Sequence, residues 1–103
     1  MKEIQELSEM IEEEIEDATK YAKCAIKEKE KNSSLAETFY KLANEELGHM
    51  SALHTQVIAI IDEYRKKNGD PPESMLKLYT IMHNKHMSDA AVAKGLLILY
   101  KGG

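Results

Sequence analysis

The sequence predicts an all-α domain, built as a long antiparallel helical hairpin followed by a shorter C-terminal helical part. The two prolines are adjacent, at positions 71 and 72, and four of the five glycines lie at position 69 or beyond. The first 68 residues therefore contain a single helix breaker, Gly48. Apolar residues recur there at steps of three and four, which is the period of an amphipathic helix.

The first helix is predicted to run from about Glu3 to about Glu30. Its apolar stripe has one gap, at position 14, and consists of Ile4, Leu7, Ile11, Ala18, Tyr21 and Ala25. The segment KNSSLAE follows and should form the turn of the hairpin. Ser34 and Glu37 have the spacing of a capping box, which predicts that the second helix begins at Leu35.

The second helix has an unusual apolar stripe, because Glu46 and His49 occupy two of its positions. The stripe is made of Leu35, Phe39, Leu42, Glu46, His49 with Met50, Leu53, Val57, Ile60 and Tyr64. The helix should end at KKNGDPP, where Gly69 provides the C-terminal cap. Gly48 costs about 1 kcal/mol inside a helix, which a close approach to another helix would explain.

The C-terminal part is predicted to begin near Pro71, with Asp70 and Glu73 as a cap-like pair, and to continue to about His86. Ser88 then either caps a fourth, short helix or lies within one kinked helix, and the sequence leaves both possibilities open. The whole chain, 1–103, is expected to be one domain, with the hairpin over 3–67 and the C-terminal part over 71–101.

Composition excludes several classes of protein. The chain has 103 residues, a net charge of −4 and no long basic block, which argues against nucleic acid as the main partner. Charges interrupt the apolar residues, so no membrane span is expected. A single cysteine, Cys24, allows neither an internal disulfide nor a thiolate metal cluster, and the N-terminus is too polar for a signal peptide. A cytoplasmic location is expected.

Glu14 fills the gap in the first apolar stripe, so each helix of the hairpin carries a carboxylate on its apolar face. If the turn is centred near Asn32, Glu14 lies level with His49 and about 5 Å, or one helical turn, from Glu46. Two carboxylates and an imidazole that converge in an apolar hairpin form a nitrogen- and oxygen-donor metal site, suited to iron, manganese or zinc.

The segments EEEIEDATKYA and NEELGHM resemble the first half of the ferritin-like and rubrerythrin di-iron superfamily. In that family a ligand Glu is followed seven residues later by a Tyr, and a Glu-x-x-His motif lies on the second helix. Glu14 with Tyr21, and Glu46 with His49, fit this pattern over residues 3–67. The family normally repeats the motif in its second half, whereas this chain has no second Glu-x-x-His.

The resemblance implies that a second copy of the chain supplies the missing half. Two hairpins would form a four-helix bundle with four carboxylates and two imidazoles around two metal ions. This arrangement resembles the half-size, encapsulated ferritin-like proteins, whose metal centre forms between subunits. It implies two iron ions per dimer, held by Glu14, Glu46 and His49, with Tyr21 as a redox-active or supporting neighbour. An encapsulating shell protein is a further partner that the resemblance allows.

The expected function is therefore a ferroxidase-like oxidation of Fe(II) by oxygen or peroxide. The alternative is a non-catalytic helical assembly protein with a structural or vestigial metal site. Outside the expected site, His54 is interpreted as exposed or interfacial, and His83 with His86 as a polar face, although their spacing can bind a metal. The final GLLILYKGG is expected to cover an assembly, with a docking tail as the alternative.

Overall fold

The protein is described here by a computed structural model that covers residues 2–102 and contains three helices over that range. These are α1 (Lys2–Glu28), α2 (Ser33–Asn68) and α3 (Glu73–Tyr100). The all-α prediction is confirmed, and α1 pairs with α2 as expected. α3 returns alongside α1, so that the hydroxyl of Tyr100 donates a hydrogen bond of 3.1 Å to Glu37 near the start of α2. Met1 and Gly103 lie outside the described residues.

Asn32, rather than Ser34, caps the second helix. The Asn32 side-chain oxygen accepts a hydrogen bond of 3.1 Å from the backbone N–H of Leu35, and α2 begins at Ser33. The predicted capping box is therefore wrong, since Glu37 pairs with Tyr100 instead. Asparagine is among the strongest N-cap residues, and starting the helix two residues earlier uses it.

Gly69 ends α2 as predicted, with a positive φ of 78° and its N–H donating to the carbonyl of Arg65 at 3.0 Å. The predicted start of the next helix is wrong by two residues, because α3 begins at Glu73. A residue that precedes proline is pushed towards an extended conformation, so Pro71 cannot be helical before Pro72. Asp70 does not cap the helix, and its carboxylate lies 3.4 Å from Arg65 Nε.

α3 is one continuous helix, which resolves the possibilities left open by the sequence. Ser88 lies in its middle and starts no fourth helix. Lys85 and Asp89 form an ion pair of 3.1 Å across this region, at the i, i+4 spacing that supports an unbroken helix. The last apolar residues therefore belong to α3, with Leu97 and Tyr100 buried and Ile98 and Leu99 exposed.

The hydrophobic core lies along α1, which packs against both other helices, whereas α2 and α3 touch each other little. Its buried members are Ile4, Ile11, Ile15, Ala18, Ala22, Ala43, Leu47, Met50, Val57, Ile61, Ala90, Ala93 and Leu97. No helix of the described chain approaches Gly48 closely, because a methyl group there would meet no atom within 4 Å. None of the helices in the described range has the length and apolar character of a membrane span.

Candidate metal centre

The candidate centre lies at the edge of the core, where α1 and α2 face each other. Glu14 follows the buried Ile11 by three residues, and Glu46 precedes the buried Met50 by four. Both carboxylates therefore lie beside the apolar stripe of their helix rather than on its solvent face. The hairpin turn sets the register that brings Glu14 beside His49, as the sequence predicts.

Glu14, Glu46 and His49 converge as predicted. Each offers one ligand atom, and these atoms all lie within 4.8 Å of one another. His49 Nδ1 is 3.2 Å from Glu14 Oε2 and 3.7 Å from Glu46 Oε2. Among residues 2–102, this is the one group in which three acidic, histidine or cysteine side chains come so close together.

The electrostatics of this group are dominated by its two carboxylates. The pKa of Glu46 is raised from 4.5 to about 6, first by a hydrogen bond shared with Glu14, and then by burial and by the charge of Glu14. The pKa of His49 is also raised, mainly because Glu14 accepts a hydrogen bond from its ring. The group therefore holds excess negative charge near neutral pH, which a cation would neutralise.

The donor atoms fit a single transition-metal ion. Nitrogen and carboxylate oxygen ligands lie about 2.0–2.2 Å from such an ion, so two donors of one ion are separated by about 3–4 Å. The two separations from His49 Nδ1, 3.2 and 3.7 Å, lie in this range, and no pair of the three ligand atoms is more than 4.8 Å apart. A mixed nitrogen and oxygen set suits iron, manganese or zinc, as the residue types alone predict.

One side of the group is open to solvent. The His49 side chain is 60% exposed, whereas those of Glu14 and Glu46 are 25% and 17% exposed. No side chain of α3 forms an ion pair with any of the three in the part of the chain described. An ion held here by one chain would therefore keep free coordination positions on the exposed side.

Tyr21, the predicted catalytic residue, lies seven residues from Glu14 on the same face of α1. Its ring stacks on Phe39, with centroids 6.1 Å apart and the planes inclined by 24°. His49 thus contacts both Glu14 and Glu46, whereas Tyr21 contacts Phe39. Its redox role stays a prediction.

A second group of polar side chains was not identified from the sequence as a cluster. His86 is only 3% exposed, so the interpretation of His83 and His86 as a polar face is wrong for His86. The ring of His54 stacks on that of His83 with centroids 4.6 Å apart. The i, i+3 spacing of His83 and His86 was the available signal, but only packing of α3 reveals the contribution of His54.

The chain was compared with models of known protein families, with curated proteins and with solved structures, and none of the three comparisons found a match. The resemblance to the ferritin-like proteins therefore stays a prediction that rests on Glu14, Tyr21, Glu46 and His49.

Proposed function

We propose that the protein is a ferroxidase-like oxidoreductase whose di-iron site is completed by a second copy of the chain. The observation that carries this proposal is the convergence of Glu14, Glu46 and His49 within 4.8 Å. Each chain contributes two carboxylates and one imidazole, and two chains together provide the ligand set of carboxylate-bridged di-iron bundles. The open side of each group is where the second copy contributes its ligands.

The surface around the group supports a second copy as the partner. We call this surface the open face, and it consists of Leu7, Met10 and Tyr21 on α1 and Leu42, Leu53 and Ile60 on α2. Five of these six side chains are half-buried, and Met10 is 48% exposed. Leu7, Tyr21 and Leu53 lie seven residues from Glu14 or Glu46, so apolar side chains continue the line of the ligands in both directions. A copy packed on this face would bury them and shield the site from water.

The chain's own groups have distinct roles in the proposed reaction. Glu14 and Glu46 hold the Fe(II) substrate and neutralise its charge, and His49 Nδ1 adds a nitrogen donor. The pKa of Glu46 is raised to about 6, so its carboxylate is mainly ionised near pH 7 and available to bind the ion. Bound iron supplies the electrons: two Fe(II) ions lose one electron each, and hydrogen peroxide accepts both with two protons to give two water molecules.

A structural metal site in a helical assembly is the second candidate. It is favoured by the 60% exposure of His49, since a site that must exclude water is poorly served by an exposed ligand in the isolated chain. Both candidate functions use the same ligands and the same dimer. They differ because the ferroxidase would oxidise Fe(II) repeatedly, whereas the structural site would not.

Anaerobic Fe(II) titration tests the proposal, using the wild type, Glu46→Gln and the matched control Glu45→Gln, whose position is exposed and outside the site. We expect one iron per chain in the wild type and in Glu45→Gln, and none in Glu46→Gln. Addition of oxygen or peroxide should then produce ferric absorbance with repeated turnover. Stoichiometric iron without turnover would favour the structural site, and no stoichiometric iron in the wild type would remove the ferroxidase.

A further inference from the structure

The histidine cluster, made of His54 on α2 with His83 and His86 on α3, lies where α3 packs against the hairpin. The rings of His54 and His83 stack with centroids 4.6 Å apart, and Tyr79 Oη lies 3.3 Å from His54 Nε2. Tyr79 also stacks on His83, at 5.9 Å between centroids. The cluster is thus a contact between helices rather than a set of surface side chains.

Two ring nitrogens of this cluster are buried and form no hydrogen bond: His83 Nδ1 and His86 Nε2, although the carboxylate of Glu12 lies 3.5 Å from the latter. Buried polar atoms in folded proteins are nearly always hydrogen-bonded, so each exception needs an explanation. An imidazole is tolerated in such a place when it is neutral, because burial penalises the charged form far more than the neutral form. The packing of α3 therefore depends on the protonation state of these rings.

The charged groups around the cluster would not compensate for protonation of all three rings. From α1, Glu12 Oε1 lies 3.5 Å from His86 Nε2, and in residues 2–102 it is the one carboxylate within 4 Å of any of the three. Glu12 also lies 3.8 Å from Lys85 Nζ, so the negative charge of Glu12 is already partly neutralised by that lysine. α2 packs against His83 through His54, which is itself a member of the cluster. From α3, Lys85 disfavours a charge on His86 and Asp89 favours it.

The pKa values of His54 and His86 follow from the same surroundings. Burial lowers the pKa of His54, and the neighbouring His83 and His86 lower it further. Burial also lowers the pKa of His86, and this effect exceeds the opposing one of Glu12. A histidine with a lowered pKa in the folded state binds fewer protons there than in the unfolded chain. Its stabilising neutral form is therefore present above the ordinary value of 6.5 and is lost as the pH falls below it.

The N-terminal half of α3 is loosely packed, which makes it the part most easily released. A cavity of about 450 Å³ separates it from α1 and the end of α2, lined mainly by Ile4, Ile61, Met75, Leu76 and Met82. α2 and α3 touch each other little, so His54 is one of the few links between them. The turn at 69–72 contains Gly69 and can serve as the hinge.

We propose that the histidine cluster makes the docking of α3 pH-dependent: below about pH 6.5 its protonation releases the N-terminal half of α3 from the hairpin. The release uncovers Ile4 on α1 and Ile61 on α2, which line the cavity, while the α1–α2 hairpin remains paired. This inference is independent of the metal site, which lies on the other side of α1.

Hydrogen exchange at pH 7.5 and pH 5.0, corrected for the intrinsic exchange rates, tests the proposal. In the wild type we expect amides of residues 75–90 to lose at least tenfold in protection at pH 5.0, with little change in α2. The variant His54→Gln/His83→Gln/His86→Gln should show less than a threefold change. His49→Gln, which removes the exposed histidine of the metal centre, should behave as the wild type.

Equal protection of α3 at both pH values in the wild type would overturn the proposal. So would a pH response that persists in the triple variant. If that variant does not fold, the titration of the wild-type imidazole protons, followed by nuclear magnetic resonance, decides instead. The His54 and His86 signals should titrate over the same pH range in which α3 loses protection, and titration without loss of protection would contradict the proposal.

Discussion

At the scale of the residue, the main conflict in the molecule is between Glu14 and Glu46. The pKa of Glu46 is raised to about 6 by a hydrogen bond shared with Glu14, by burial at the edge of the core and by repulsion from the charge of Glu14. Most helices of this kind place Leu or Ala at such positions, because an ionisable group is expensive to bury without a partner. A bound cation would neutralise both carboxylates, whereas in its absence a proton on Glu46 neutralises one of them.

Metal binding should therefore compete with protons at Glu46. Above about pH 6 the carboxylate is the main form and is free to bind, and below it the proton must first leave. Affinity for Zn²⁺ or Fe(II) should fall about tenfold or more between pH 7 and pH 5. Calorimetric titration in buffers of different ionisation enthalpy measures the protons released.

The control for this prediction is Glu46→Gln, which has no proton to release at that position. It should bind metal weakly at every pH and release fewer protons. An affinity of the wild type that does not change between pH 7 and pH 5 would show that Glu46 is not a ligand.

At the scale of the element, the sequence predicts the existence and pairing of α1 and α2 well, because their apolar periodicity is long and Gly48 is the single helix breaker within it. The position of the turn alone predicted that Glu14 lies level with His49 along the hairpin. The helix starts were predicted less well: two plausible caps, Asn32 and Ser34, stand two residues apart, and local chemistry does not choose between them. The burial of His86 depends on how α3 packs, which its weakly patterned sequence does not specify.

The two possible caps of α2 can be distinguished by substitution. Asn32→Ala should destabilise the protein by about 1 kcal/mol, since the Leu35 N–H loses its partner. Ser34→Ala should change the free energy of unfolding by less than about 0.5 kcal/mol, because position 34 is an exposed helical position. Chemical denaturation of both variants measures the difference, and a larger effect at Ser34 would restore the capping box.

At the scale of the whole molecule, the chain is elongated, with dimensions of 56 × 19 × 17 Å. Its radius of gyration is 16.5 Å, whereas a compact domain of about 100 residues has one of about 13 Å. A shape of this kind leaves much apolar surface uncovered, including the open face around Glu14, Glu46 and His49. Met10 of the open face is part of this exposed apolar surface, as are Leu78, Ile81 and Val92 of α3.

The proposed dimer can be tested by placing a charge on the open face. Met10 is 48% exposed, so Met10→Arg should fold normally but weaken dimerisation by about tenfold or more, because a dimer would bury the charge. The number of iron ions bound per chain should fall together with dimerisation. The control Val92→Arg changes a 57% exposed residue of α3, away from this face, and should alter neither property. Sedimentation velocity measures the dimer, and equal behaviour of the two variants would locate the contact elsewhere.

The central position of α1 has a consequence for how the chain is made on the ribosome. α1 packs against both of the other helices, yet it is synthesised first and has no partner until α2 has emerged. The hairpin can close once residue 68 leaves the exit tunnel, and α3 can then dock on a surface already formed, without rearranging α2. The newborn chain can therefore bring Glu14, Glu46 and His49 together before its last helix has left the exit tunnel.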